Sequence, residues 1–150
     1  MLKNKNIVVT GAGSGIGQAT SLLAASYGAN VLCVDLTDGA DTTAAKIVQA
    51  GGSALAHRAN VAEESEVEGY IGACINAYGG IDGIYANAGV SGGGKSVTEL
   101  TVEDWQRTLG VNTVGVFLAV KHSLTHFLPQ GHGAILCTAS VAGLRANAGG

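Results

Sequence analysis

A glycine-rich turn stands between a short apolar run and a helical pattern near the start of the chain. The apolar run is Ile7–Thr10, the turn reads Thr10-Gly11-Ala12-Gly13-Ser14-Gly15-Ile16-Gly17, and the helical pattern continues to Tyr27. Glycine permits positive φ angles and lets another group approach the backbone closely. The helix start offers unpaired N–H groups and partial positive charge, which suit a pyrophosphate. The turn therefore predicts a nucleotide-binding βαβ unit.

The rest of the chain repeats the alternation of short apolar runs and helical patterns. After the first strand, the sequence predicts strands at 30–35, 53–58, 81–86 and 134–138, and helices at 16–27, 40–50, from about 63, and 101–127. This alternation is typical of an α/β domain whose parallel sheet is covered by crossover helices. With 150 residues, of which 47% are hydrophobic and 13% charged, we expect one domain spanning residues 1–150.

Two of the predicted helices carry an apolar stripe that we expect to face the core. In the first helix the stripe is Ala19, Leu22, Leu23 and Ser26. The long helix should begin at a capping pair, Thr101 and Asp104, and its stripe is Val102, Trp105, Leu109, Val116, Val120, Leu124 and Phe127. Poor helix formers interrupt its middle, so we expect a local distortion at Gly110, Asn112, Thr113 and Gly115.

Charge, hydropathy and cysteine spacing exclude several classes of protein. The net charge is −3 and there is no run of Lys or Arg, which argues against a nucleic-acid partner. The longest apolar stretch, Val114–Val120, is far too short to span a bilayer. Cys33, Cys74 and Cys137 are widely spaced, which predicts small buried side chains in a reducing compartment. The N-terminus shows no signal peptide, so we expect a cytoplasmic protein without a membrane partner.

His122 and His126 lie one helical turn apart on the long helix, with His132 nearby, and form a possible metal-binding pair. A metal site needs a third or fourth ligand. No Cys or acidic residue lies near the pair in the sequence, so we expect a solvated helix face and no metal.

Asp35 provides a second indication of nucleotide binding. It stands 18 residues after Gly17, at the carboxyl end of the second strand. A carboxylate there can accept hydrogen bonds from both ribose hydroxyls of a dinucleotide. A 2′-phosphate would be repelled, and neither Leu36 nor Ser14 supplies a cation to neutralise it. The pattern favours NAD over NADP, although Asp35 could instead only cap the strand.

Five motifs occur in an order that resembles the short-chain dehydrogenase/reductase family. The glycine turn has the spacing Thr-Gly-x-x-x-Gly-x-Gly, and Asn87-Ala88-Gly89 matches an Asn-Ala-Gly motif after the fourth strand. Asn60-Val61 stands where the family has Asp-Val, and the Asn carbonyl keeps an acceptor for the adenine amino group. Asn112 and Ser140 align with the family's catalytic Asn and Ser.

The resemblance implies a three-layer, Rossmann-type doubly wound sheet with its strands in the order 3-2-1-4-5. It also implies hydride transfer between NAD and a small alcohol or carbonyl substrate, in which Ser140 stabilises the substrate oxygen and Asn112 holds a relay water. The cofactor would contact Gly11, Ser14, Gly15, Ile16, Gly17, Asp35, Leu36, Asn60, Val61, Asn87, Ala88 and Gly89.

The family's general acid/base is a Tyr in a Tyr-x-x-x-Lys motif, which lies further along than the ten residues that follow Ser140 here. We therefore expect the chain to be the N-terminal portion of a longer enzyme, without strands six and seven and the last helices, inactive alone and homo-oligomeric at full length. Two alternatives remain open: a non-catalytic NAD-binding module and an S-adenosylmethionine-dependent methyltransferase.

Overall fold

Five parallel strands form one sheet in the computed structural model, which describes residues 1–91 and 93–144. The strands are β1 Asn6–Thr10, β2 Asn30–Asp35, β3 Ser53–Arg58, β4 Gly83–Ala86 and β5 Ala134–Cys137. Their spatial order is β3-β2-β1-β4-β5, and every neighbouring pair is parallel. The predicted Rossmann-type sheet is confirmed. The strand order reverses between β1 and β4, which is where open α/β sheets form their ligand crevice.

Helices cover both faces of this sheet. They are α1 Gly15–Ser26, α2 Gly39–Gln49, α3 Glu64–Tyr78, α4 Val102–Leu109 and α5 Gly115–Gln130, with a π-helical turn at Gly110–Val114 and a 3₁₀ turn at Val141–Gly143. On one face, small residues of α1 and Ile47 of α2 pack against Val31 and Cys33 of β2. On the other face, α3 and α5 bury Tyr70, Ile71, Leu118 and Phe127.

The long predicted helix begins, and is distorted, where the sequence indicated. Thr101 and Asp104 form a reciprocal capping box, in which each backbone N–H donates to the other residue's side chain at 3.1 Å. Lys95 Nζ lies 2.6 Å from Asp104 Oδ2, and this bond is the main reason that the pKa of Asp104 falls to about 2. The predicted distortion is the π-helical turn, which separates α4 from α5.

The predicted core stripe of the long helix is wrong for most of its members. Val102, Trp105, Leu109 and Leu124 are exposed. The buried face of α5 instead consists of Gly115, Leu118, Ala119, Ser123 and Phe127. A π-helical turn adds one residue to the helix, so a single 3.6-residue period cannot be followed through it.

The predicted stripe of α1 is wrong for Ala19, Leu23 and Ser26, which are exposed, whereas Leu22 is partly buried against the core. Leu23 is exposed, and the buried positions are Gly17, Ser21, Ala24 and Ala25. These small side chains let the helix approach the strands and the glycine turn closely. Hydrophobic spacing predicted that the larger leucines are buried, whereas the narrow space between α1 and the sheet admits only the smallest residues.

The cysteine prediction holds for two of the three side chains. Cys33 and Cys74 are buried, and burial raises their pKa values to about 11 and about 12. Cys137, at the end of β5, is exposed, because β5 pairs only with β4 among the described strands. No helix in the described part of the chain has the length and apolar character that crossing a membrane requires.

Two tyrosines of α3 allow a test of whether a buried hydroxyl group without a hydrogen bond lowers the stability of this core. The Tyr70 hydroxyl is fully buried with no hydrogen-bond partner among the described residues, whereas the Tyr78 hydroxyl donates to the Val31 carbonyl at 3.3 Å. We expect Tyr70→Phe to raise the free energy of unfolding by about 1 kcal/mol, because an unsatisfied buried hydroxyl is removed. The matched Tyr78→Phe should lower it by about 1 kcal/mol. Urea unfolding of both variants would measure this, and a destabilised Tyr70→Phe would contradict it.

Candidate functional site

A cleft of about 520 Å³ opens at the carboxyl edge of the sheet, at the reversal between β1 and β4. Eleven of the twelve residues predicted to contact a cofactor line it, and the exception is Gly17. Thr37, Ala59, Val90, Val111 and Thr138 complete the lining. The structure therefore brings together the glycine turn, the end of β2 and the Asn-Ala-Gly segment, which lie far apart in the sequence.

Gly17 shapes the cleft from behind. It is buried in the first turn of α1, and a Cβ atom there would overlap the carbonyl oxygen of Gly11. This close approach keeps the turn folded back onto the start of the helix, so that Ser14, Gly15 and Ile16 remain on the cleft surface. Ile16 is 65% exposed, so the described residues leave this bend open to solvent.

The glycine turn is held from the other side by α2. The fully buried Thr43 hydroxyl donates to the Ala12 carbonyl at 2.8 Å and accepts from Gln18 Nε2 at 3.0 Å. Ala12 N donates to the Val34 carbonyl at 3.0 Å, which fixes the turn to the end of β2. Residues of α1, α2 and β2 therefore hold this loop, which consists mainly of glycine and has few side chains of its own.

Asp35 is turned towards the glycine turn. Its Oδ2 atom accepts from Gly13 N at 2.9 Å, and its Oδ1 atom accepts from Thr37 N at 2.9 Å and Thr37 Oγ1 at 2.8 Å. A Cβ atom on Gly13 would lie 2.8 Å from the Asp35 carboxylate, so this contact requires glycine. The carboxylate is half-buried and borders the cleft beside Leu36.

Asn60 and Val61 form the wall of the cleft next to β3. Asn60 Oδ1 accepts from Ala62 N at 3.1 Å, and Asn60 N donates to Glu66 Oε2 at 2.7 Å. These bonds fix the turn that follows β3. A carbonyl oxygen has two lone pairs, so Asn60 Oδ1 can still accept from an adenine amino group.

Thr10 and Asn87 join the two central strands at the floor of the cleft. The Thr10 hydroxyl accepts from Asn87 N at 2.9 Å and from Ala88 N at 3.0 Å, while Asn87 Nδ2 donates to the Thr10 carbonyl at 3.1 Å. Thr138 Oγ1 lies 3.0 Å from Asn87 Oδ1 and 2.9 Å from the Tyr85 hydroxyl. The Asn-Ala-Gly segment is therefore connected to β1 and to the end of β5.

The amide of Asn112 bonds a neighbouring loop through both of its polar atoms. Its Oδ1 atom accepts from Val90 N and its Nδ2 atom donates to the Val90 carbonyl, both at 2.8 Å. Asn112 lies in the π-helical turn, so these bonds connect that turn to the loop after β4. One N–H group of Nδ2 and one lone pair of Oδ1 remain for a water molecule.

Ser140 lies at the surface just after β5. Its Oγ atom accepts from Ala142 N at 3.2 Å and caps the 3₁₀ turn, which leaves the hydroxyl proton available for donation. Neither Ser140 nor Asn112 lines the cleft itself. Thr138 and Val111 do, so both candidate catalytic residues lie close along the chain to its rim.

The expected solvated helix face is wrong for His122, whose side chain is only 12% exposed and lies beside acidic residues of α3. The helix α3 places Glu64 Oε1 at 2.9 Å from His122 Nε2 and Glu68 Oε1 at 3.6 Å from Nδ1. The two carboxylates face different ring nitrogens, and the Lys121 ammonium also bonds Glu64 and lowers the pKa of its carboxyl. These contacts describe an ion-pair cluster between α3 and α5.

Sequence reasoning missed several residues that build the site. Thr37, Thr43 and Thr138 act through single hydroxyls whose partners lie on other elements or turns. Only Thr37 had a local signal, because an Asp followed two residues later by Thr commonly forms a turn of this kind. Arg58 was also missed: it is opposite Asp35 in the strand register, and its guanidinium bonds Asp38 at 3.2 Å.

The fold and the cleft together define a Rossmann-type α/β domain. A family model described as short chain dehydrogenase matches residues 5–150. The chain belongs to this family of oxidoreductases, and the methyltransferase alternative is thereby removed.

Relatives and solved structures agree with this assignment. The chain is 38% identical over 142 residues to a cyclohexanol dehydrogenase of Acinetobacter sp. (strain SE19), covering 94% of this chain and 57% of that protein. It is 37% identical to a 2,5-dichloro-2,5-cyclohexadiene-1,4-diol dehydrogenase of Sphingobium indicum, covering 95% and 57%. A levodione reductase structure superposes with a TM-score of 0.91 at 32% identity, covering 97% and 58%. The chain thus spans less than two thirds of the length of these proteins.

The Thr10 hydroxyl offers a test of how the floor of the cleft is held. Thr10→Val keeps the shape of the side chain but leaves two backbone N–H groups without their acceptor. We expect a loss of about 1–3 kcal/mol in the free energy of unfolding, because two partly buried donors lose their acceptor. Thr10→Ser retains the hydroxyl and should stay within about 1 kcal/mol of the parent. Equal losses in the two variants would show that the hydroxyl bonds are unimportant.

Proposed function

We propose that this chain binds NAD in the cleft and contributes to reversible hydride transfer with a small alcohol or ketone. The observation that carries the proposal is the Asp35 carboxylate, which is fixed beside the glycine turn at the edge of the cleft. The family relationship supplies the reaction class. NAD supplies the hydride acceptor when it is bound, and the residues below bind and orient the reactants.

The donor groups of the cleft fit a dinucleotide. Ser14, Gly15 and Ile16 present the start of α1, whose N–H groups and dipole favour a pyrophosphate. Asp35 is the acceptor for the adenosine ribose, and Asn60 and Val61 stand where the adenine would contact the chain. Asn87, Ala88 and Gly89 form the floor of the cleft.

Charge favours NAD over NADP. A 2′-phosphate near Asp35 would meet like charge, and the replacement of one ribose hydroxyl would remove a donor that the carboxylate can use. Arg58 is a cation close to this position in the sheet, but its guanidinium already bonds Asp38. The negative charge of Asp38 partly offsets the positive charge that Arg58 could present to a phosphate.

Ser140 and Asn112 take different parts in the proposed chemistry. The Ser140 hydroxyl donates to the substrate oxygen and stabilises the charge that develops there. Asn112 keeps the loop at Val90 in place, and the second N–H group or lone pair of its amide would hold a relay water. The family's Tyr-x-x-x-Lys motif, which would exchange the proton, does not occur within these 150 residues.

Relatives of this chain suggest where a search for substrates should begin. Their names include a cyclohexanol dehydrogenase and a cis-4-hydroxycyclohexanecarboxylate dehydrogenase. We therefore propose a cyclic secondary alcohol, or the corresponding ketone, as the substrate class. We further propose that the full-length protein is a homo-oligomer of the cytoplasm, a setting that suits the two buried thiols.

Replacing Asp35 tests the cofactor assignment. We expect Asp35→Ala to weaken NAD binding tenfold or more, because hydrogen bonds to a charged group contribute about 1.5–3 kcal/mol each. The preference over NADP should fall at the same time. Calorimetric titration with both nucleotides measures this, and Asp41→Ala, which removes an exposed acid of α2, is the control for net charge. An unchanged preference in Asp35→Ala would refute the assignment.

Replacing Ser140 separates an enzyme from a non-catalytic module. In the full-length protein, Ser140→Ala should reduce turnover of a cyclic alcohol by about 10²–10³-fold, because a donor to the developing charge is lost. NAD affinity should change little, since the Ser140 side chain does not line the cleft. Undiminished turnover would contradict the role of Ser140. Asp35-dependent NAD binding without turnover of any alcohol would favour the module.

A further inference from the structure

Among the described residues, Thr37 donates the most hydrogen bonds to the Asp35 carboxylate. Its backbone N–H and its hydroxyl both donate to Oδ1, at 2.9 and 2.8 Å. Gly13 N holds the other oxygen at 2.9 Å. These three donors use most of the four acceptor sites of a carboxylate and leave room for a further strong donor at Oδ2.

The Thr37 hydroxyl also accepts a bond, and this connects the carboxylate to the start of α2. Gly39 N, in the first turn of that helix, donates to Thr37 Oγ1 at 3.3 Å. Gly39 in turn lies against the glycine turn, since a Cβ atom on it would be 2.8 Å from Gly13 Cα. Because the oxygen accepts from Gly39, its proton is directed to Asp35.

A closed set of contacts therefore runs from Gly13 through Asp35 and Thr37 to Gly39 and back to Gly13. Asp35 and Thr37 contribute side-chain atoms to these contacts, whereas Gly13 and Gly39 contribute only backbone atoms. The orientation of the carboxylate is thus coupled to the position of the loop that receives the pyrophosphate. Preorganisation of this kind reduces the entropy that ligand binding must overcome.

We propose that Thr37 is a positioning residue for cofactor discrimination, which acts by fixing Asp35 so that Oδ2 receives the adenosine ribose. This inference rests on the proposed function, because it concerns the same nucleotide site. Thr37 does not need to touch the cofactor for this role. Its hydroxyl sets the rotamer of the carboxylate and supports the start of α2.

The test compares Thr37→Val, Thr37→Ser and Asp35→Ala for NAD affinity, NADP affinity and melting temperature. Thr37→Val preserves the shape and the backbone donor but removes the hydroxyl. We expect it to weaken NAD binding about three- to tenfold with little change for NADP, because one charge-assisted bond and its orienting effect are lost. Thr37→Ser should restore the parent values. Thr42→Val, at an exposed position of α2, is the matched control.

The outcomes separate this inference from the cofactor assignment. If Asp35→Ala abolishes discrimination while Thr37→Val leaves it intact, the positioning role is wrong and the assignment of Asp35 stands. Tighter NAD binding in Thr37→Val would show that the hydroxyl competes with the ribose, which also overturns the proposal. A drop in melting temperature with equal weakening for both nucleotides would reduce Thr37 to a structural residue. If Asp35→Ala changes nothing, both proposals fail.

Discussion

The bonds between Thr10 and the Asn87-Ala88 segment are the constraint on which the rest of the site depends. They join β1 to β4 at the point where the strand order reverses, which is where the chain must leave the sheet in opposite directions. At such a point the ends of the two strands diverge and open a crevice. The Thr10 hydroxyl accepts from the backbone N–H groups of Asn87 and Ala88, and the Asn87 amide donates to the Thr10 carbonyl, so these backbone groups at the diverging strand ends are hydrogen-bonded. The glycine turn, Asp35 and the loop at Val90 are arranged around this junction.

The sequence was sufficient for a parallel α/β sheet and for the convergence of part of the cleft, because both depend on local signals. The strand order and the full set of cofactor contacts were implied by the family resemblance. Short apolar runs that alternate with helices specify a parallel sheet, and the carboxyl ends of such strands meet at one edge. Gly11 and Asn87 directly follow β1 and β4, and Asp35 is the last residue of β2, so their convergence could be predicted without coordinates. The capping box at Thr101 and the distortion at Gly110–Val114 likewise follow from residue types at fixed spacing.

The parts that could not be predicted depend on distances between elements. The stripes of α1 and α5 were misplaced because the sheet accepts small residues such as Gly17 and Ala119 at its closest contacts, while larger apolar residues such as Leu23 and Leu124 stay outside. Glu64 meets His122 only because α3 and α5 lie side by side. The hydrogen bonding of the Asn112 amide depends on Val90, which is 22 residues away in the sequence. Periodicity describes one element at a time and contains none of this information.

The π-helical turn at Gly110–Val114 makes the length of this segment as important as its composition. A π-helical turn holds one residue more than a regular helix does, so deleting one residue would let the backbone relax to an α-helix while Leu118 and Phe127 keep their buried positions. Asn112 would then lose the bulged geometry in which its amide bonds Val90. The extra residue therefore serves the loop beside the cleft rather than the core, and its loss should affect ligand binding more than folding.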